Sequence, residues 1–168
     1  MALVSTSQEV TDQSAVPVAK VSLIKKHGVQ RTARGFLLAA NFTGGTVGQW
    51  YTFVRIPARA RLLGVFITNA TTTTGAVKVG LYRPDGIAIS DAVFASVFVM
   101  GAANNRARVD TVQTAAERRD PLSTAYATQV GTAGATSDVE YDIAAAIVTV
   151  IGTPKDTLME VDYILPEN

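Results

Sequence analysis

The sequence predicts an all-β sandwich of about eight short strands. Three observations lead there: apolar residues alternate in short runs, turn residues separate the runs, and only one short stretch reads as helix. Residues 50–84 hold three strand patterns in succession. In the first, Tyr51, Phe53 and then Ile56 sit beside Thr52 and Arg55. In the second, Leu63, Val65 and Ile67 alternate with Gly64, Phe66 and Thr68. In the third, Val77, Val79 and Leu81 alternate with Lys78, Gly80 and Tyr82. A period of two with β-branched and aromatic enrichment marks strands with one buried face. Pro57 to Arg59 and Thr71 to Gly75 supply the breaks.

The other elements follow in order. Residues 1–15 are polar and rich in Ser, Thr and Gln, and read as an arm. Val16 to Ile24 reads as a first strand, with Pro17 confining it to an edge or a strand start. A basic stretch follows around Gly28, and Phe36 to Phe42 reads as a strand. Pro84-Asp85-Gly86 is a turn. Ile87 to Met100 mixes a capping Ser90 or Asp91 with Val and Phe, and the Val/Phe content favours strand or irregular structure over helix. Arg106 to Val112 reads as a short edge strand. Asp120-Pro121 opens a helix running to about Gln129. Asp138 to Ile151 and Thr157 to Leu165 read as a closing hairpin turning at Gly152 to Asp156. In its last strand Met159, Val161, Tyr163 and Leu165 form the buried face, and Leu158, Glu160, Asp162 and Ile164 the other. The expected division is an extended N-terminal arm over residues 1–34 and a β-sandwich domain over 35–168.

Composition limits what the chain can do. Its 168 residues, 48% apolar, suit one domain with a real core. Only 17% are charged, below the usual quarter, which leaves a bland surface of Ala, Thr, Val and Gly. There is no cysteine, so disulfides, thiolate metal sites and cysteine nucleophiles are excluded. The N-terminus lacks a signal-peptide pattern, and the longest apolar run, Ile143 to Gly152, is too short to span a bilayer as a helix. No membrane partner is expected.

Charge divides the chain. Through residue 109 there are 12 Lys/Arg against 4 Asp/Glu, and from Asp110 onward 3 against 10, balances of +8 and −7. Either the halves present opposite charges to partners, or the fold interleaves them and mixes the signs.

The residues offer little for catalysis. His27 is the single histidine and lies in a basic, polar segment without a G-x-S-x-G elsewhere. Asp138, Glu140 and Asp142 alternate on one strand face, but Val139, Tyr141 and Ile143 between them look like core, so a solvated acidic face explains them better than a cation or hydrolase site. No catalytic, cofactor or metal residue is assigned. Lys20, Lys25, Lys26, Arg31 and Arg34 could contact phosphates, yet no aromatic platform or groove-reading helix accompanies them, which argues against nucleic acid.

One run resembles a known family. Ile56-Pro57-Ala58-Arg59-Ala60-Arg61-Leu62-Leu63-Gly64-Val65-Phe66-Ile67-Thr68-Asn69 is similar to a strand of small virion structural proteins of tailed bacteriophages. Val79-Gly80-Leu81-Tyr82, Asp91 to Ser96, Asp120-Pro121-Leu122, Tyr141-Asp142-Ile143 and Glu160 to Tyr163 resemble its later elements. The resemblance covers roughly residues 50–165 and leaves out the arm. It implies a virion structural role without fixing the place on the particle; its members look capsid-associated, and some jelly-roll proteins of this size act as cement or decoration on the phage head. No catalytic residue comes with it.

The expectation is therefore a non-enzymatic protein, made in the host cytoplasm, that binds and stabilises a phage capsid shell from its surface. The major capsid protein is the expected partner, and a homo-oligomer the expected form. Lys20, Lys25, Lys26, Arg31, Arg34, Arg55, Arg59 and Arg61 are the candidate contacts with acidic capsid surface. The alternatives are a neck, tail or fibre-base component and, more remotely, a carbohydrate-binding module.

Overall fold

The fold comes from a computed structural model, which describes residues 29–41, 46–70, 74–100, 103–111, 113–114, 117, 120–132 and 140–165. Eight strands are described: β1 (Val29–Leu37), β2 (Trp50–Pro57), β3 (Arg61–Asn69), β4 (Thr74–Tyr82), β5 (Ala88–Val99), β6 (Asn104–Arg108), β7 (Glu140–Gly152) and β8 (Thr157–Leu165). Two short helices, α1 (Leu122–Ala125) and α2 (Ala127–Thr132), lie between β6 and β7.

The strands form two antiparallel sheets, in the orders β1-β8-β3-β6 and β2-β7-β4-β5. The first strand pairs with the last, the second with the second-last, and so inward to β4 with β5. Successive pairs alternate between the sheets. This is the winding of a jelly roll, two Greek keys closed over one core. The sandwich expected from the sequence is thus the fold observed.

Alternation fills the core. Val54 and Ile56 of β2, Val77, Val79 and Leu81 of β4, and Ile143, Ala145 and Ile147 of β7 point inward from one sheet. Leu62, Val65 and Ile67 of β3 and Met159 and Val161 of β8 meet them from the other. The buried face foreseen on the last strand, Met159, Val161 and Tyr163, lies inside. Tyr126 plugs the core beside α1. Its ring meets Phe94 edge-to-face, and its hydroxyl accepts a hydrogen bond from Gln113 Nε2.

Several expectations need correction. The last two strands are not a hairpin: β7 pairs with β2 and β4, and β8 with β1 and β3. The residues between them carry the chain from one sheet to the other, and Thr153 takes a positive φ of 52° on the way. Two adjacent strand patterns cannot reveal whether they share a sheet. Leu63 is 38% exposed, because a bulge between Leu62 and Gly64 hands the inner position to Leu62. The helix expected over residues 121–129 is two short pieces. Pro121 is the N-cap and makes no side-chain cap bond. The first helical amides donate instead to the β2–β3 turn, Leu122 N to Ala60 O and Ser123 N to Ala58 O.

The first described strand begins at Val29, so the expected boundary after residue 34 falls inside β1. Its charges hid the alternation of Ala33, Gly35 and Leu37. The strand expected over Val16 to Ile24 lies outside the described residues, and that expected over Phe36 to Phe42 ends at Leu37.

Two glycines set how closely elements approach. A Cβ on Gly35 would stand 1.9 Å from Phe53 O, so β1 and β2 close one side of the sandwich backbone to backbone. A Cβ on Gly80 would stand 2.3 Å from Ser90 O, because a β5 bulge folds over β4 there. Gly35→Ala is therefore expected to cost about 3 kcal/mol or more, at the top of the overpacking range. That lowers the melting temperature by about 6 °C or more. Gly48→Ala, with nothing within 4 Å but a φ of +87°, should cost about 1 kcal/mol. Calorimetry of the two variants distinguishes contact from strain.

Candidate interaction surfaces

The outer face of the β1-β8-β3-β6 sheet is built around one ring. Phe66 lies over Gly64, where a Cβ would stand 2.6 Å from the ring. Arg106 reaches across from β6 with its guanidinium 3.9 Å from the ring centroid. It bonds Glu160 (Nε to Oε2, 3.1 Å) and Asp162 (Nη2 to Oδ2, 2.7 Å). Arg34 holds the other oxygen of Glu160 at 2.8 Å, and Thr32 donates to Asp162 at 2.7 Å. Arg106 has a positive φ of 52°, strain that this clamp can sustain. Beside it Arg108 holds the buried Asp110 through Nε and Nη2, at 2.8 and 3.1 Å, and Nη2 also donates to Leu63 O. The bond to Asp110 raises the Arg108 pKa above its usual value.

The outer face of the β2-β7-β4-β5 sheet is different. Its floor is small: Ala76, Gly80, Ala144 and Ala146. Trp50 and Tyr82, from the strands on either side of β7, stack at 5.5 Å. Their ladder partners on β7, Ala146 and Asp142, flank the fully buried Ala144. Three ion pairs surround the rings: Arg55–Asp142 at 2.6 Å, Lys78–Asp91, and Arg83–Asp85 at 3.0 Å. The hydrogen bond to Asp142 raises the Arg55 pKa. Burial, and then the Asp91 charge, push the Tyr82 phenol up to about 12.

The structure sorts the candidate contact residues. Lys20, Lys25 and Lys26 lie outside the described residues. Arg34 and Arg55 are engaged within the chain. Arg31, exposed, stands opposite Tyr163 on one side of β8, and Arg61 stands opposite Ile164 on the other, about 10 Å away at two strand spacings. Arg59 is exposed in the turn two residues before Arg61. These three share the end of the sandwich where residue 29 enters. Arg61 Nε is buried without a hydrogen-bond partner among the described residues.

Sequence reasoning missed Phe66, Arg106 and Arg108 as one cluster. The shared face of Glu160 and Asp162 was the available signal. Of the acidic trio, Asp142 is buried and neutralised by Arg55, Glu140 is exposed, and Asp138 lies outside the described residues. Among the described residues no group of three metal-binding side chains forms, and no helix is long and apolar enough to cross a membrane.

The fold has known counterparts. A chain from the capsid of Ralstonia phage GP4 superposes with a TM-score of 0.56 at 10% identity, over 84% of this chain and 88% of that one. A chain from the capsid asymmetric unit of cyanophage Pam1 superposes with a TM-score of 0.50 at 15% identity, over 98% and 100%. At these identities the likeness is one of fold. No family model and no curated protein matches the sequence.

Arg55→Ala leaves the Asp142 carboxylate, 4% exposed, without its cation. The variant should be measurably less stable, though by less than for a fully buried pair, because Arg55 is half in water. Adding Asp142→Asn should recover most of the lost stability, as denaturant titration would show. Tyr82 is neutral in the fold until about pH 12 but ionises near 10 when unfolded. Its contribution is complete below pH 10 and lost as pH rises toward 12, up to about 2 kcal/mol. Tyr82→Phe should lose less stability than the wild type across that window.

Proposed function

We propose that this chain is a non-enzymatic structural protein of a tailed-phage virion that binds and stabilises the capsid shell as a cement or decoration protein. The observation that carries the reading is the two-way match to phage capsid chains: the alignment spans 98% of this chain and 100% of the Pam1 chain. The whole sandwich, not a shared fragment, has a counterpart in a shell. The motif resemblance over residues 50–165 points the same way.

The surfaces support that role. Arg34, Arg55, Arg106 and Arg108 close on acids of the same chain, and the end bearing the exposed Arg31 together with Arg61 is the basic region of this reading. Lys25 and Lys26 precede β1 in sequence. An acidic patch on the major capsid protein is the matching surface, and its attraction would speed docking. The carbohydrate reading is weaker. Among the described residues the exposed rings are Phe36 and Trp50, and they stand on opposite faces of the sandwich, so they form no common platform for a sugar.

The test mixes purified chain with shells that lack it. Bound protein should raise the shell's melting temperature, and binding should weaken with salt. Arg31→Glu with Arg59→Glu should weaken binding about tenfold or more, while Arg34→Ala should act mainly through stability. Shells that take up none of the chain at low salt would overturn the proposal. Counting copies per virion separates the readings further: hundreds place the chain on the head, and about a dozen or fewer place it at the neck or tail.

A further inference from the structure

The sheet edges are β1 and β6 in one sheet and β2 and β5 in the other. Three of these strands reach the interior. Gly35 of β1, Val54 and Ile56 of β2, and Ile89, Phe94 and Ala95 of β5 are buried. None of the 5 residues of β6 is buried. The chain on either side of β6 is anchored nonetheless. Met100 and Val109 are each 1% exposed, and their amides donate to Gly75 O and Val65 O. β6 therefore runs between two core anchors without adding to the core.

Polar contacts hold β6 in place, and its backbone is strained. A bulge sets Asn105 and Arg106 together opposite Thr68. Arg106 takes its φ of 52° there, a region that favours glycine and costs any residue with a Cβ. Its other contacts offset that cost. The side chain bonds Glu160 and Asp162 and covers Phe66, and the amide donates to Thr68 Oγ1. Asn104 adds bonds to Asn69 Oδ1 and Val99 O. The Arg106 side chain is 48% exposed, so water weakens each ion pair. The strain against closure and the contacts that favour it are thus of similar size.

We propose that β6 is a releasable strap. Residues 103–108 detach from β3 while the sandwich stays folded, and the Arg106 side chain is the latch that sets how often they do. Detachment breaks no core contact. It uncovers the β3 edge from Phe66 to Asn69 and takes one cation from Glu160 and Asp162, which keep their bonds to Arg34 and Thr32 on β1. Salt favours release, because the half-exposed ion pairs of Arg106 weaken as ionic strength rises.

Amide hydrogen exchange of the full chain, read residue by residue, tests the strap. Val161 is the core reference, fully buried and paired with strands on both sides. Amides of residues 104–108 should exchange about 100-fold or more faster than that of Val161. Arg106→Ala keeps the strain and loses the latch, so strap exchange should rise about tenfold or more over the wild type. Arg106→Gly loses both, so its strap should exchange about threefold or more slowly than that of Arg106→Ala. Raising the salt from about 0.05 to about 1 M should speed strap exchange about threefold or more in the wild type, and less in Arg106→Gly. Strap amides that exchange only as fast as Val161 would overturn the proposal. So would equal strap exchange in Arg106→Ala and the wild type, or in Arg106→Ala and Arg106→Gly, or a strap indifferent to salt. The strap is independent of the shell-binding reading, since free chain tests one and shells test the other.

Discussion

β1 and β8 lie side by side although Arg34 and Glu160, neighbours across them, are 126 residues apart in the chain. The same first-with-last winding sets β2 on β7 and β3 beside both β8 and β6. Both the core and the electrostatics depend on this pairing. It places one apolar face of every strand inside and aligns residues from the basic half of the sequence with residues from the acidic half. Arg34 and Arg106 meet Glu160, Arg106 meets Asp162, Arg55 meets Asp142, and Arg108 meets Asp110. Among the described residues, the division of charge along the chain is thus largely consumed within the molecule.

Once the inner faces are committed to the core, the outer faces decide how the molecule meets its surroundings, and they differ. One is polar and clamped, with a cation held over Phe66 and shared by two carboxylates. Such a network orders long side chains but gains little net energy at an exposed site. The other has a floor of alanine and glycine, with its ionic groups closed in pairs around Trp50 and Tyr82. Small side chains at Gly80, Ala144 and Ala146 let large groups lie flat on the sheet instead of standing away from it. The same device recurs at Gly64 under Phe66 and, between strands, at Gly35 against Phe53. A chain rich in Ala and Gly is using them for close approach at these named positions.

Much of this was legible in the residues. Period-two alternation located β2, β3 and β4 and the inner face of β8, because burial of one sheet face imposes that period whatever the neighbours are. Glu160 and Asp162 were assigned to a common face for the same reason. Leu63 was misplaced because a bulge shifts the phase by one residue, and no sequence signal separates Leu62 from Leu63. The start of β1 was obscured because charged residues on an edge strand resemble a solvated segment.

The sequence by itself determined the fold class, the interior side of most strands and the absence of cysteine chemistry, since these depend on residue type and local spacing. Only the tertiary structure decided which sheet each strand joins, which arginine meets which acid, and that Trp50 stacks on Tyr82. Those are relations between segments far apart in the chain. Hydrogen bonding between strands fixes them, and a backbone ladder accepts almost any side chain, so the partners leave no mark in either sequence alone.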